Sequence, residues 1–392
     1  MENRADAQTL AVHAGARKDD FFGAINEPIY MTSNYRIPTD GTPVDWSGIH
    51  SNIYCRNRNP NQMVLQDKLC ALTGAEDGAV FASGVAALAA VFTTFLNSGD
   101  HAIVSEVCYS ATNLLFRKYL PEKYGIEVTL LDTTDTDAVR AAVKGNTKLI
   151  HVETPGNPTT GLSDIDTIAQ IAHNAGALLS VDATFAGPVC IRPFSHGADL
   201  EIHSMTKYIN GHGDSLGGCV LGSTELIDEV KELAMVNYGG ILSPFNAWLV
   251  ARGLATAPLR MKQHSETALE VARFLEACPA TRFIWYPGLE SHPQHELAEK
   301  LMHGEYSGMI AFDLKGSEKQ HEQFLDSLRL VTHAVSLGDI ESLIVYYDKS
   351  SDKLPHYPAV YHEGFFRFSI GLESAGDIIS DLTQAMEKAH ML

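Results

Sequence analysis

Residues 177–214 read ALLSVDATFAGPVCIRPFSHGADLEIHSMTKYINGHGD, and the fold turns on how this stretch divides. ALLSVD (177–182) is a short apolar run that stops at a carboxylate, Asp182. LEIHS (200–204) is a second such run, and it stops just before Thr206 and Lys207. Runs of this length, bounded by Gly, Pro and polar residues, predict buried strands. The rhythm extends upstream: AVFA then Val85 to Leu96, AIVSE then Ala111 to Tyr119, IEVTLL then Asp135 to Val143, KLIHVE then Ile165 to His173. Strands alternating with amphipathic stretches predict an α/β fold whose large, mostly parallel sheet is covered by helices, with ligands gathering at the strand C-termini.

The flanks read differently. Residues 1–60 are rich in Asn, Gly, Pro and Thr with little periodicity, and predict an extended arm and loops. Residues 61–257 are then a large domain. After about Ala257 a long helical stretch leads to β-like segments at FIWY, GMIAFDL and FFRFSI, which predict a smaller α/β domain over 258–392. Lys349 to Lys353, KSSDK, is the clearest exposed loop. Gly78 to Gly99 holds no charged residue and nears the length of a membrane span, but Ser83-Gly84 interrupts it and predicts a strand, a turn and a helix instead.

A chain of 392 residues, 45% apolar and 20% charged, is long enough to bury a large core. Acidic residues outnumber basic ones by 48 to 29, giving −19. That balance disfavours nucleic acid and anionic membrane as partners and leaves a small molecule. The six cysteines (Cys55, Cys70, Cys108, Cys190, Cys219, Cys278) form no C-x-x-C pair, as suits reduced thiols in a cytoplasm. Met1 to Leu10 carries three charges and reads as no export signal.

Lys207 and Asp182 carry the chemistry. A lysine that forms a Schiff base must be neutral when it attacks, so it sits in desolvated, weakly charged surroundings. A carboxylate at a strand end can hold a cofactor's pyridine nitrogen protonated. Ser83-Gly84-Val85, opening a helix after AVFA, offers backbone N–H groups and a hydroxyl to a phosphate, to which Ser204 and Thr206 would add theirs. Local sequence alone leaves other readings open: a solvated Lys207, a capping or turn Asp182, an ordinary Ser-Gly turn.

Ser204 to Asp214, SMTKYINGHGD, resembles the cofactor-lysine signature of the trans-sulfuration (Cys/Met metabolism) family of fold-type I pyridoxal-phosphate enzymes. YCRNRNP (54–60), ETPGNP (153–158), SHPQH (291–295) and RFSIGLE (367–373) follow in family order, so the resemblance is nearly full length. It implies an aspartate-aminotransferase-like fold with a seven-stranded sheet, and pyridoxal 5′-phosphate bound to Lys207. It further implies that Tyr109 stacks on the ring and acts as general acid, that Asn157 approaches the ring hydroxyl, and that Arg367 clamps the substrate carboxylate. Tyr54 and Arg56 would reach a neighbouring subunit's cofactor phosphate, Tyr54 touching substrate too, in a homo-oligomer, as a tetramer built from two dimers. His292 and His295 lack the spacing of a zinc helix, so no metal is expected.

Ala334 to Leu343, AVSLGDIESL, sets the substrate side. Val335 stands where cystathionine-handling members carry an acidic residue, and the run, with Ser336, resembles that of methionine γ-lyases. Ala111 replaces their reactive cysteine, Ala183 replaces an asparagine, and Val345 to His362 departs from the family pattern, which reshapes the substrate mouth. The expectation is a lyase acting by γ-elimination on a methionine-, O-substituted homoserine- or canavanine-like amino acid. γ-Replacement, cystathionine cleavage and a non-catalytic scaffold remain the alternatives.

Overall fold

The computed structural model describes residues 5–17, 19–352 and 354–392; Met1 to Arg4 and Lys18 of the expected arm, and Lys353 of the expected loop, lie outside them. Seven strands form the large sheet: β1 (Asp77–Phe81), β2 (His101–Ser105), β3 (Glu127–Leu131), β4 (Thr147–Glu153), β5 (Leu178–Asp182), β6 (Leu200–Ser204) and β7 (Gly218–Gly222). Their order is β1-β7-β6-β5-β4-β2-β3, and only β7 runs against the direction of the other six, pairing antiparallel with β1 on one side and β6 on the other. Leu179, Val181, Ile150 and Val152 are fully buried, as continuous apolar strands covered on both faces must be.

Local sequence starts each covering element. Helix α1 (Ala7–His13) and helix α2 (Pro60–Thr73) precede the sheet. The α2 start is capped by Asn59, whose side chain accepts the Asn61 N–H, and Pro60 spends no needed donor at the first helical position. Helix α3 (Gly84–Phe95) follows β1 and is capped by Ser83. Finding α1 inside the expected loop arm is a correction: its Ala11 is buried against Leu65 and Leu69 of α2, a tertiary contact that outweighs its short, weakly patterned sequence. The stretch Ala111 to Tyr119 also differs, beginning as helix α4 (Ser110–Leu114) and widening into a π turn over Leu115–Tyr119.

After the long helix Ala257–Ala277 comes a second sheet, β8 (Thr281–Trp285), β9 (Met309–Leu314), β10 (Thr332–His333), β11 (Leu343–Tyr347) and β12 (Phe365–Ser369), ordered β10-β11-β12-β9-β8. Its core joins Phe312, Phe366 and Phe368 to helix Ala375–Lys388. β11 runs into the front of the atypical segment that starts at Val345, with Ile344 buried and Val345 paired with Arg367.

Candidate active site

Strand ends do the positioning. β5 and β6 are parallel neighbours, so their C-termini deliver Asp182 and Ser204 to one edge of the sheet. Thr184 ties them together: its Oγ1 accepts the Ser204 N–H at 2.9 Å and donates to Asp182 Oδ1 at 2.5 Å. The Thr184 N–H adds a third bond, to Asp182 Oδ1 at 3.0 Å. Asp182 Oδ2 is left without a hydrogen bond among the described residues, so the turn that fixes this carboxylate keeps one oxygen for a ligand. Burial raises the Asp182 carboxyl above its usual range, and the Thr184 bonds oppose that rise.

At β1 the chain turns through Ser83 into α3. Ser83 Oγ accepts the Ala86 N–H, and among the described residues the N–H groups of Gly84 and Val85 have no acceptor. Glycine is required here by proximity: a Cβ on Gly84 would lie 2.8 Å from the Ser204 Cβ. Gly218 of β7 is tighter still, since a Cβ there would lie 2.2 Å from the Ser83 carbonyl oxygen. Two open amides at a helix N-terminus beside the Ser204 and Thr206 hydroxyls form a cradle for a phosphate.

Lys207 follows one turn after β6. Its Nζ donates to Ser336 Oγ at 2.8 Å. Burial first, and then the Arg367 charge, lower its amine to about 8, so near neutral pH it gives up a proton far more readily than a surface lysine. Ser336 holds φ at 89°, a conformation that costs a side-chain-bearing residue about 1–3 kcal/mol. That strain serves two partners, because the Ser336 carbonyl also accepts from Arg367 Nη2 at 2.9 Å. Arg367 projects from β12, is 7% exposed, and donates through Nη1 to Asn157 Oδ1 at 3.2 Å. Its Nε is buried with no partner among the described residues, a donor left over for an entering carboxylate.

These groups line one cavity of about 640 Å³. It gathers Ser83, Gly84, Val85, Tyr109, Asn157, Asp182, Ser204, Thr206, Lys207, Val335, Ser336 and Arg367. Tyr54 and Arg56 are not in it; they border a separate depression with Met31 and Gly239, Tyr54 being 44% exposed. Phosphate donors, a free carboxylate oxygen, a desolvated amine and an aromatic ring therefore converge, and they fit a phosphorylated pyridine aldehyde.

Sequence reasoning passed over several lining residues. Glu153 ends KLIHVE as Asp182 ends ALLSVD, and a charge closing an apolar strand is a signal that applies to both. Cys108 is buried, with its thiol pushed up by burial and by nearby Glu153, while Ala111 does not line the cavity. Val345, Tyr347, His356 and Tyr357 also line the cavity, all within the atypical segment. His356 Nδ1 lies 2.8 Å from Glu106 Oε1, and Tyr361, further along, donates to the Thr159 carbonyl at 2.7 Å. No helix of the described residues is long and apolar enough to cross a membrane.

Residues 8–387 match the family model described as Cys/Met metabolism PLP-dependent enzyme. Canavanine gamma-lyase of Rhizobium leguminosarum bv. trifolii is 50% identical over 382 residues, covering 97% of this chain and 95% of that protein. L-methionine gamma-lyase of Porphyromonas gingivalis is 39% identical, with 98% of each chain covered. The crystal structure of metB from Corynebacterium glutamicum superposes with a TM-score of 0.89 at 36% identity over 98% of each chain.

Proposed function

This chain belongs to the Cys/Met metabolism family of PLP-dependent enzymes, and from that membership we propose that it eliminates the γ-substituent of an L-amino acid, releasing 2-oxobutyrate and ammonia. The observation that carries this reading is the joint hold of Ser336 on Lys207 and Arg367, which sets a readily deprotonated amine beside a carboxylate clamp. The names of similar proteins, a canavanine gamma-lyase and an L-methionine gamma-lyase, support the γ-position.

Bound pyridoxal phosphate supplies an aldehyde for exchange with an amino group and a ring that draws electrons from the α-carbon. Gly84, Val85, Ser204 and Thr206 would hold its phosphate, Asp182 would keep its ring nitrogen protonated, and Asn157 would meet the ring hydroxyl. Arg367 grips the substrate carboxylate through Nε and Nη2, orienting the α-hydrogen toward Lys207. Lys207 Nζ takes that proton and later moves one along the carbon chain. The Tyr109 hydroxyl protonates the departing heteroatom, which leaves with its bonding electrons. Val335, Val345, Tyr347, His356 and Tyr357 contact the γ-group.

The active unit is a homo-oligomer, a dimer or a tetramer built as a dimer of dimers, in which the 1–60 arm carries Tyr54 and Arg56 to the neighbouring cavity. Their exposure outside this chain's own cavity supports that reading. A division at about residue 257 is supported by the two sheets, which lie wholly on either side of it. Six free cysteines suit a cytoplasmic setting.

Purified enzyme incubated with methionine, O-acetylhomoserine, canavanine and cystathionine, with 2-oxo acid and ammonia measured, tests the proposal. Absence of 2-oxo acid from every γ-substituted substrate rejects it. Formation of a new amino acid only when a thiol is added would instead establish γ-replacement.

A further inference from the structure

Glu153 closes β4 directly beside Asp182: the two are register partners on neighbouring parallel strands, so both side chains leave the same face of the sheet. Each is only 4% exposed. Burying a second carboxylate next to the one that meets the cofactor is costly, and its neighbour's charge adds to that cost. Such a residue needs partners, and those it has are specific.

The two oxygens are used separately. Oε2 accepts the Tyr109 N–H at 2.7 Å, and Oε1 accepts the Asn157 N–H at 3.0 Å. Tyr109 belongs to the turn between β2 and α4, while Asn157 belongs to the turn after β4. One carboxylate thus pins, from beneath, the two loops whose side chains reach the cavity from different strands. Through the Asn157 amide the tether extends to Arg367 Nη1. Glu153 also borders a second cavity of about 400 Å³ behind the site, lined by the hydroxyls of Ser105, Thr133 and Ser163. Its side chain is part of the partition between the two spaces.

We propose that Glu153 is a positioning residue, setting where the Tyr109 ring and the Asn157 amide stand relative to the bound cofactor. Glu153→Gln is the sharp probe. It preserves volume, but its amide has one acceptor oxygen, so one of the two loop N–H groups faces an NH2 donor and loses its bond. Glu153→Ala removes both bonds and opens the partition.

The experiment titrates cofactor-free wild type, Glu153→Gln and Glu153→Ala with pyridoxal phosphate. It records the cofactor dissociation constant, the circular dichroism induced in the cofactor's absorption band, and kcat and KM on the best substrate. Glu153→Gln is expected to weaken the induced signal and lower kcat about tenfold to 100-fold with KM nearly unchanged, because small displacements of reacting groups cost that much. Glu153→Ala is expected to do both more strongly and to weaken cofactor binding. A lowered melting temperature with wild-type induced signal and kcat would make Glu153 a structural filler and overturn the proposal. If Glu153→Ala fails to fold, the isosteric Gln variant decides alone, and wild-type behaviour there overturns the proposal equally. The kcat readout rests on the γ-elimination reading, whereas the dichroism needs only bound cofactor; a wild type inactive on every substrate would fail that reading and leave the dichroism to judge Glu153.

Discussion

The floor of the cavity and its mouth are built by different means. The floor is made of strand ends: Asp182 closes β5, Ser204 closes β6, and Ser83-Gly84 follows β1, so sheet register fixes every one of them. The mouth comes from the end of β11 and its connection to β12, where Tyr347 and then, from mostly irregular backbone, His356 and Tyr357 border the cavity. That connection reaches the large sheet's loops through His356 with Glu106 and Tyr361 with Thr159. A floor held by register serves every substrate of the family chemistry. A mouth held by isolated contacts is where one substrate can be chosen over another.

Substitutions separate the two regions. Lys207→Ala should abolish 2-oxo acid formation from every substrate, a loss of at least about 1000-fold measured as initial rate, since it deletes the proton carrier. Asp182→Ala should cost about 100-fold to 1000-fold, again without changing the order of substrates. Unequal losses across the panel would mean that the floor also selects, and the division would break. Tyr357→Ala should instead reorder the panel, shifting the ratio of kcat/KM between two γ-groups by about tenfold to 100-fold while the best substrate keeps most of its rate. Uniform loss would transfer Tyr357 to the floor.

The smallest effect concerns charge rather than turnover. Lys207 has a folded-state pKa lowered to about 8 from 10.5. Below about pH 8 the cofactor-free fold therefore carries a charged amine that burial disfavours, and stability rises with pH between those two values as that penalty disappears. Lys207→Met should raise the melting temperature of cofactor-free protein at pH 7 by about 2–4 °C, with the gain shrinking toward pH 10. A gain independent of pH would show that packing, not the amine's charge, is responsible.

The same contrast explains what the sequence made legible. The short runs ending in Asp182 and Ser204 announce buried strands through their length and their Gly, Pro and polar boundaries, and the α/β architecture follows from their alternation with helices. β7 escaped notice because GCVLG is short and lies among glycines that read as loop. α1 escaped because its one fully buried residue, Ala11, gains its meaning only from α2. The segment Val345 to His362 announced itself as unusual without revealing which side chains face inward, since irregular backbone has no period to read. Glu153 was open to the reasoning applied to Asp182, but its role depends on two N–H groups that only the folded loops bring within reach.

β1 has a single neighbour in the sheet order, β7, and Gly218 of β7 presses against the Ser83-Gly84 turn. The anion cradle is therefore not a local product of the segment that contains it. While the ribosome has yet to release residues 218–222, the first strand has no slot in the sheet, and the amides of Gly84 and Val85 have no backing. The support behind that turn is complete only with Gly222, more than half-way along the chain, so the two open amides depend on the completed large sheet rather than on their own segment.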